Sequence, residues 1–142
     1  MSPALKRPAA RKRASKAGTP VTPLVLDSSC WLEFFADTDR ADLYAEAIEN
    51  AQDLVVPVLT IYEVAKKLAR EVGDDVAAAA LSLMQRGKLI DIDLPLALEA
   101  AVNGLPLADS LICATARHHG AELWTQARHF EGLPGVRYFA KP

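Results

Sequence analysis

Apolar and polar positions along this chain change period several times. Leu24, Val25 and Leu26 form a short continuous apolar run, the mark of a buried strand, and Asp27-Ser28-Ser29 behind it is a helix-start signal. Apolar residues then recur at helical spacing over 29–35 and 39–50. A second apolar run predicts a strand over 53–56, followed by a helix over 60–72 that Gly73 closes. Asp74 opens another helix over 74–85, which stops at Gly87, and 88–92 reads as a third strand. Helices over 94–102 and 108–118, a strand over 121–125 and a fifth short strand over 135–139 complete the pattern. There is no internal repeat. Strands alternating with helices imply an α/β domain: a central, mostly parallel sheet of four or five short strands with helices on both faces. In such sheets ligands sit beyond the carboxyl ends of the strands, so the residues that follow each strand are the ones to inspect.

Composition adds bounds. The chain has 142 residues, 51% of them hydrophobic, enough for one domain with a real core. Its apolar runs, such as 76–84, are far shorter than the roughly 18 residues a spanning helix needs, so no membrane segment is expected. Two cysteines do not make a disulfide framework, and a reducing, cytoplasmic setting is expected. The net charge of -2 conceals an asymmetry. Lys6, Arg7, Arg11, Lys12, Arg13 and Lys16 lie in the first 18 residues with no acid among them. The remaining ten Lys and Arg face all 18 acids, so the body is about -8 by formal count. Residues 1–20, rich in Ala, Pro and basic side chains, read as a disordered tail before a domain over 21–142. A solvated extension, a transit segment and a nucleic-acid-touching arm all fit that composition. An acidic body does not suit nucleic-acid binding by bulk charge, but it suits carboxylates gathered around a cation.

Three acids fall where the topology predicts chemistry. Asp27 directly follows the first strand, Glu63 lies about one turn into the helix after the second, and Asp109 opens the helix over 108–118. Clustered carboxylates repel one another unless a proton or cation intervenes. Mg²⁺ suits such a set, because it takes oxygen ligands, keeps waters and binds through one or two carboxylates plus substrate phosphate. Each acid also has a local explanation. Thr60-Ile61-Tyr62-Glu63 has the form of a capping box, Asp109 is a first-turn acid, and Asp27 is a helix cap. An Asp after a strand is shared with haloacid-dehalogenase-type phosphatases and receiver domains. The first of these wants a second Asp where Ser29 stands, and the second wants acids where Val25 and Leu26 stand.

Longer stretches narrow the reading. The run Leu26-Asp27-Ser28-Ser29, the run from Val56 to Val64 around Glu63, and the run from Leu107 to Ala116 around Asp109 follow one another in order. Leu123-Trp124-Thr125-Gln126-Ala127-Arg128-His129-Phe130 and Gly132-Leu133-Pro134-Gly135-Val136 close the series. Together they resemble the motifs of PIN-domain ribonucleases, specifically the VapC-like toxins of type II toxin–antitoxin systems. The resemblance implies a PIN-like three-layer fold and a Mg²⁺-dependent endoribonuclease, with Mn²⁺ as a substitute ion. It implies that Asp27, Glu63 and Asp109 bind metal, that Thr125 holds a metal-bound water, and that the products carry a 5′-phosphate and a 3′-hydroxyl. It also implies RNA as substrate, a homodimer, and a cognate antitoxin whose tail covers the acidic groove with an Arg. One position departs: family members usually carry a fourth acid where this chain has Ala127. Either the chain is a degenerate member that binds antitoxin or RNA without cleaving, or it is an active enzyme disabled by that substitution.

Other candidates read as structure. Ser28 and Ser29 have no His placed to activate them and read as caps or as orienters of Asp27. Cys30 and Cys113 lack metal-ligand spacing, and Cys113 reads as a buried small hydrophobe. His118, His119 and His129 also lack ligand spacing and read as surface or helix-end residues. Arg128 and His129 flank the last motif and are either phosphate contacts or an ordinary solvated pair. Trp31, Phe34 and Phe35 have the spacing of core residues on one helix.

Overall fold

The computed structural model describes residues 22–142; the expected tail and its boundary with the domain lie outside them. Five short strands, β1 (Leu24–Leu26), β2 (Val55–Pro57), β3 (Lys88–Ile90), β4 (Glu122–Thr125) and β5 (Val136–Tyr138), alternate with six helices. The helices are α1 (Ser28–Phe35), α2 (Asp42–Glu49), α3 (Val58–Glu71), α4 (Asp74–Met84), α5 (Leu94–Ala101) and α6 (Leu107–His118). All strand pairings are parallel: β1 with β4, β4 with β5, and β2 with β3. Among the described residues a single bridge, Leu24 to Leu54, joins the ladder β1-β4-β5 to the ladder β2-β3. The lateral order is thus β3-β2-β1-β4-β5.

The period of two along the strands decides which layer each side chain enters. Leu24, Leu26, Leu54 and Val56 face one side, where they pack with Cys30, Trp31 and Phe35 of α1, Tyr44 and Ile48 of α2, Val64 and Leu68 of α3, and Met84 of α4. Val25, Val55 and Leu123 face the other, against Ile112, Cys113 and Ala116 of α6 and Phe130. Leu96 and Ala100 dock α5 onto Ala114 of α6. These are the three layers that the alternation predicts. Trp31 stacks on Phe35 with centroids 5.8 Å apart, and Phe34 meets Phe35 edge-on at 5.5 Å, so the aromatic triplet is core as its spacing suggests.

Element ends moved where local polar bonds compete with the pattern. The expected helix over 39–50 begins only at Asp42, because Thr38 accepts the Arg40 N–H and donates to Glu33, holding a turn around Asp37 at φ 52°. The strand expected over 53–56 is displaced to Val55–Pro57 by a 3₁₀ turn over Ala51–Asp53. The third strand ends at Ile90, short of the expected residue 92. The helix expected from residue 60 starts at Val58, directly off Pro57. No helix of the described residues is long and apolar enough to cross a membrane.

Candidate active site

The chain runs from β1 outward to β2 and β3, then returns to add β4 and β5 on the other side of β1. The order reverses between β1 and β4, and the crevice past the carboxyl ends of those two strands is where an open parallel sheet receives ligands. Asp27 leaves β1 at that point, its N–H donating to the Trp124 carbonyl of β4 at 2.9 Å. Thr125 ends β4 beside it. The Thr125 hydroxyl donates to Asp27 Oδ2 at 2.8 Å and accepts the Ala127 N–H at 3.0 Å. The hydroxyl's one proton is spent on Asp27, so Thr125 fixes the rotation of that carboxylate. The other oxygen, Oδ1, accepts the Ser28 N–H at 2.8 Å and caps α1. The helix-cap reading of Asp27 is therefore correct but incomplete, because a capping Asp needs neither a buried position nor a second donor 98 residues away.

The local explanation for Glu63 does not hold. A capping box requires Thr60 to stand at the helix N-cap. Instead Pro57 is the N-cap, and Thr60 lies inside α3 with its hydroxyl donating to the Pro57 carbonyl at 2.7 Å. Glu63 is left half-buried on the site side of α3, with Oε1 shielded from solvent and without a hydrogen-bond partner. A carboxylate oxygen left so is costly unless a proton or cation meets it. Asp109 sits in the first turn of α6, where the helix dipole favours it. Its Oδ2 contacts His129 Nε2. That contact brings the turn after β4 across the start of α6, and it places His129, exposed at the surface as its spacing suggests, at the site. No ligand spacing announces it, because the two residues are joined only by the chain reversal.

The three acids feel one another. Burial, and then the Asp109 charge, push Asp27 above the ordinary carboxylate range, against the hydrogen bonds from Thr125 and Ser28. Burial, with the charges of Asp27 and Asp109, raises Glu63 as well, and the Ser28 side chain pulls it the other way. Burial and mutual repulsion thus act in the same direction on Asp27 and Glu63. The donor set is hard: carboxylate oxygens and a hydroxyl. Cys30 is buried, with its thiol pushed up to about 12 by burial and then by the Asp27 charge, and Cys113 is a core residue raised by burial. Both thiols are packed in the apolar core. Among the described residues no three His, Cys, Asp or Glu form a ready-made cage. The set thus fits an ion bound through one or two carboxylates and waters, and it does not fit a closed four-ligand zinc site.

Ala127 lies two residues after Thr125, in the turn that follows β4. Its methyl packs against the apolar cluster of Ile112, Cys113 and Phe130, while its N–H holds Thr125. Beside it a polar clasp locks the rim. The buried Gln126 bonds to Glu33 at 3.0 Å and to Arg40, and Arg40 also donates to the Phe139 carbonyl at 3.1 Å. This clasp has no local sequence signature. Ser29 is partly buried, with its hydroxyl unpartnered, and has no activating His. His118 meets Glu99 at 3.3 Å, away from the crevice.

Comparison with known proteins agrees with this arrangement. The family model of the PIN domain matches residues 24–135. A solved toxin–antitoxin complex from Klebsiella pneumoniae contains a chain 26% identical to this one, with a TM-score of 0.68, covering 80% of this chain and 95% of its own. VapBC2 from Rickettsia felis, bound to a DNA fragment from its promoter, is similar in fold, with 16% identity, a TM-score of 0.62, and coverage of 83% and 98%. DNA-bound VapBC from Salmonella typhimurium is likewise similar in fold, with 19% identity, a TM-score of 0.62, and coverage of 84% and 98%. No curated protein matches the chain.

Proposed function

The chain belongs to the PIN domain family, and from that premise we propose that it is the nuclease toxin of a toxin–antitoxin pair, acting on RNA in the cytoplasm through a divalent cation, Mg²⁺ with Mn²⁺ as substitute. The observation that carries this reading is the buried Asp27, clamped by Thr125 at the switch point of the sheet and raised by burial and then by the Asp109 charge. Asp27, Asp109 and Glu63 would hold the ion. When bound there, such an ion stabilises charge developing on a phosphodiester and eases deprotonation of water. Thr125 keeps the Asp27 carboxylate in one orientation, and the contact with His129 does the same for Asp109. In the reaction a water oxygen bonds to phosphorus as the P–O3′ bond breaks, leaving a 5′-phosphate and a 3′-hydroxyl. The likeness to a toxin–antitoxin complex supports an antitoxin partner, whose Arg would supply positive charge to the same acids. A homodimer is part of the same proposal.

Ala127 supports a second reading: a PIN module that keeps the fold and the partner groove but does not cleave. Its methyl is apolar and supplies no oxygen to the crevice. One experiment separates the two. Ala127→Asp is assayed on RNA with Mg²⁺ and with EDTA, alongside the starting chain and Ala127→Asp/Asp27→Asn. The toxin reading expects cleavage by Ala127→Asp that EDTA and Asp27→Asn both abolish. A folded Ala127→Asp that binds no Mg²⁺ by calorimetry and leaves RNA intact would establish the non-cleaving module.

A further inference from the structure

Glu63 does not stand alone on its face of α3. Tyr62, Glu63, Lys66, Lys67 and Arg70 lie on the side of the helix outside the buried stripe of Thr60, Val64 and Leu68. With Ser28 and Leu32 of α1 they line an open groove of about 290 Å³. One end of the groove is acidic and belongs to the site just described, because Ser28 and Glu63 are in both. The other end is basic. Lys67 is paired with Glu71 at 3.8 Å, but Lys66 and Arg70 have no acidic partner among the described residues. Tyr62 is 58% exposed, and Lys66 lies over its ring with the ammonium 5.5 Å from the centroid. An aromatic face so exposed on a helix, with a cation parked on it, contributes little to the fold.

We propose that this groove is the track for the single-stranded RNA segment that flanks the scissile phosphate. Tyr62 stacks on a base, and Lys66 and Arg70 hold successive phosphates. The inference rests on the ribonuclease reading above. Arg70 lies seven positions beyond Glu63, about 10 Å along the helix, a span for more than one phosphate and too long for a single anion. The sign of charge selects the ligand: a strand whose reacting phosphate meets a cation at the acidic end needs direct positive charge for the phosphates that follow. A stacking aromatic beside cations that no acid neutralises is the combination by which proteins hold single-stranded nucleic acid without reading its sequence.

The test uses the full chain and a labelled, mixed-sequence single-stranded RNA, followed by anisotropy over a salt series with and without Mg²⁺. Lys66→Gln/Arg70→Gln should weaken binding and flatten the slope of log affinity against log salt by about 1.4, since each lost phosphate contact on a single strand removes roughly 0.7. Tyr62→Ala should weaken binding at least about fivefold with the salt slope unchanged, and Tyr62→Phe should retain affinity. Arg86→Gln, a surface change on the α4–β3 turn, serves as the control and should change neither affinity nor slope. If the starting chain binds RNA and the α3 variants bind it equally well, the track is wrong and the ribonuclease reading stands. If the starting chain binds no RNA under either condition, the ribonuclease reading fails and this inference fails with it. Equal binding of a poly-glutamate peptide, with the same dependence on Tyr62 and Lys66, would overturn the track in favour of an acidic protein partner.

Discussion

At the scale of single residues the site is organised by one hydroxyl. Thr125 is fully buried, accepts from Ala127 and donates to Asp27. Replacing it by the isosteric Val keeps the volume but leaves Asp27 Oδ2 and the Ala127 N–H without partners. A buried polar group stripped of its partner costs about 1–3 kcal/mol. Thr125→Val should therefore lower the denaturant midpoint by a corresponding amount, while Thr125→Ser, which restores the donor, should recover most of the loss. Equal stability of the Val and Ser variants would show that the Thr125–Asp27 bond is not what holds the carboxylate. The same residue explains how Ala127 matters twice, once by lacking an oxygen and once by presenting the N–H that aims Thr125.

At the scale of elements, close approach governs how the second ladder is built. Gly87 stands just before β3, and the Lys88 N–H reaches the Leu54 carbonyl at 2.8 Å to begin the pairing with β2. A Cβ at Gly87 would lie 2.7 Å from Val56 Cγ2, 3.0 Å from the Leu54 carbonyl oxygen and 3.1 Å from that of Ala51. Two of those three atoms are backbone and cannot step aside. Gly87→Ala should cost about 1–3 kcal/mol, as overpacked sites do. Urea unfolding measures it, and an unchanged midpoint would mean that the β2–β3 ladder is looser than its contacts imply. Glu63 is carried by the helix that follows β2, so shifts of this ladder pass to the site. Gly73, at φ 131°, ends α3 in a conformation that side chains avoid and lets α4 fold back against it.

At the scale of the whole molecule, the acids set how stability depends on pH. Asp27 and Glu63 are both raised, chiefly by burial and further by repulsion within the cluster. The native state therefore keeps protons that the unfolded chain releases in the ordinary carboxylate range. Their contribution is complete below that range and is lost as pH rises through their folded values. Glu33 acts in the opposite sense. Burial pushes it up, but hydrogen bonds from Thr38 and Gln126 and the charges of Lys141 and Arg40 outweigh this and hold it low, so its contribution fades in acid. In EDTA, Asp27→Asn should reduce the loss of unfolding midpoint as pH rises above the ordinary carboxylate range, relative to the starting chain. Mg²⁺ should reduce it too, in the starting chain but not in the variant, by supplying the missing counter-charge. Parallel pH profiles for the two proteins, with and without Mg²⁺, would refute a coupled acid cluster.

Much of this was legible along the chain. Apolar runs and helical spacing predicted each strand and helix to within a few residues, because backbone period and side-chain burial are local demands. As candidates, Asp27 and Glu63 were singled out by their place after strands and Asp109 by its motif. Other features needed the folded chain. The capping box at Thr60 is locally plausible and wrong, because Pro57, three residues earlier, already caps the helix. His129 meets Asp109, and Gln126 clasps Glu33 and Arg40, only because β4 lies beside β1 and the turn after it crosses α6. The sequence by itself determined the elements, their layers and the acids proposed for the site. The tertiary structure alone decided which oxygens share one crevice, which are buried and which basic side chains continue from it, since charge repulsion, desolvation and hydrogen bonding between remote residues exist only after the strands have paired.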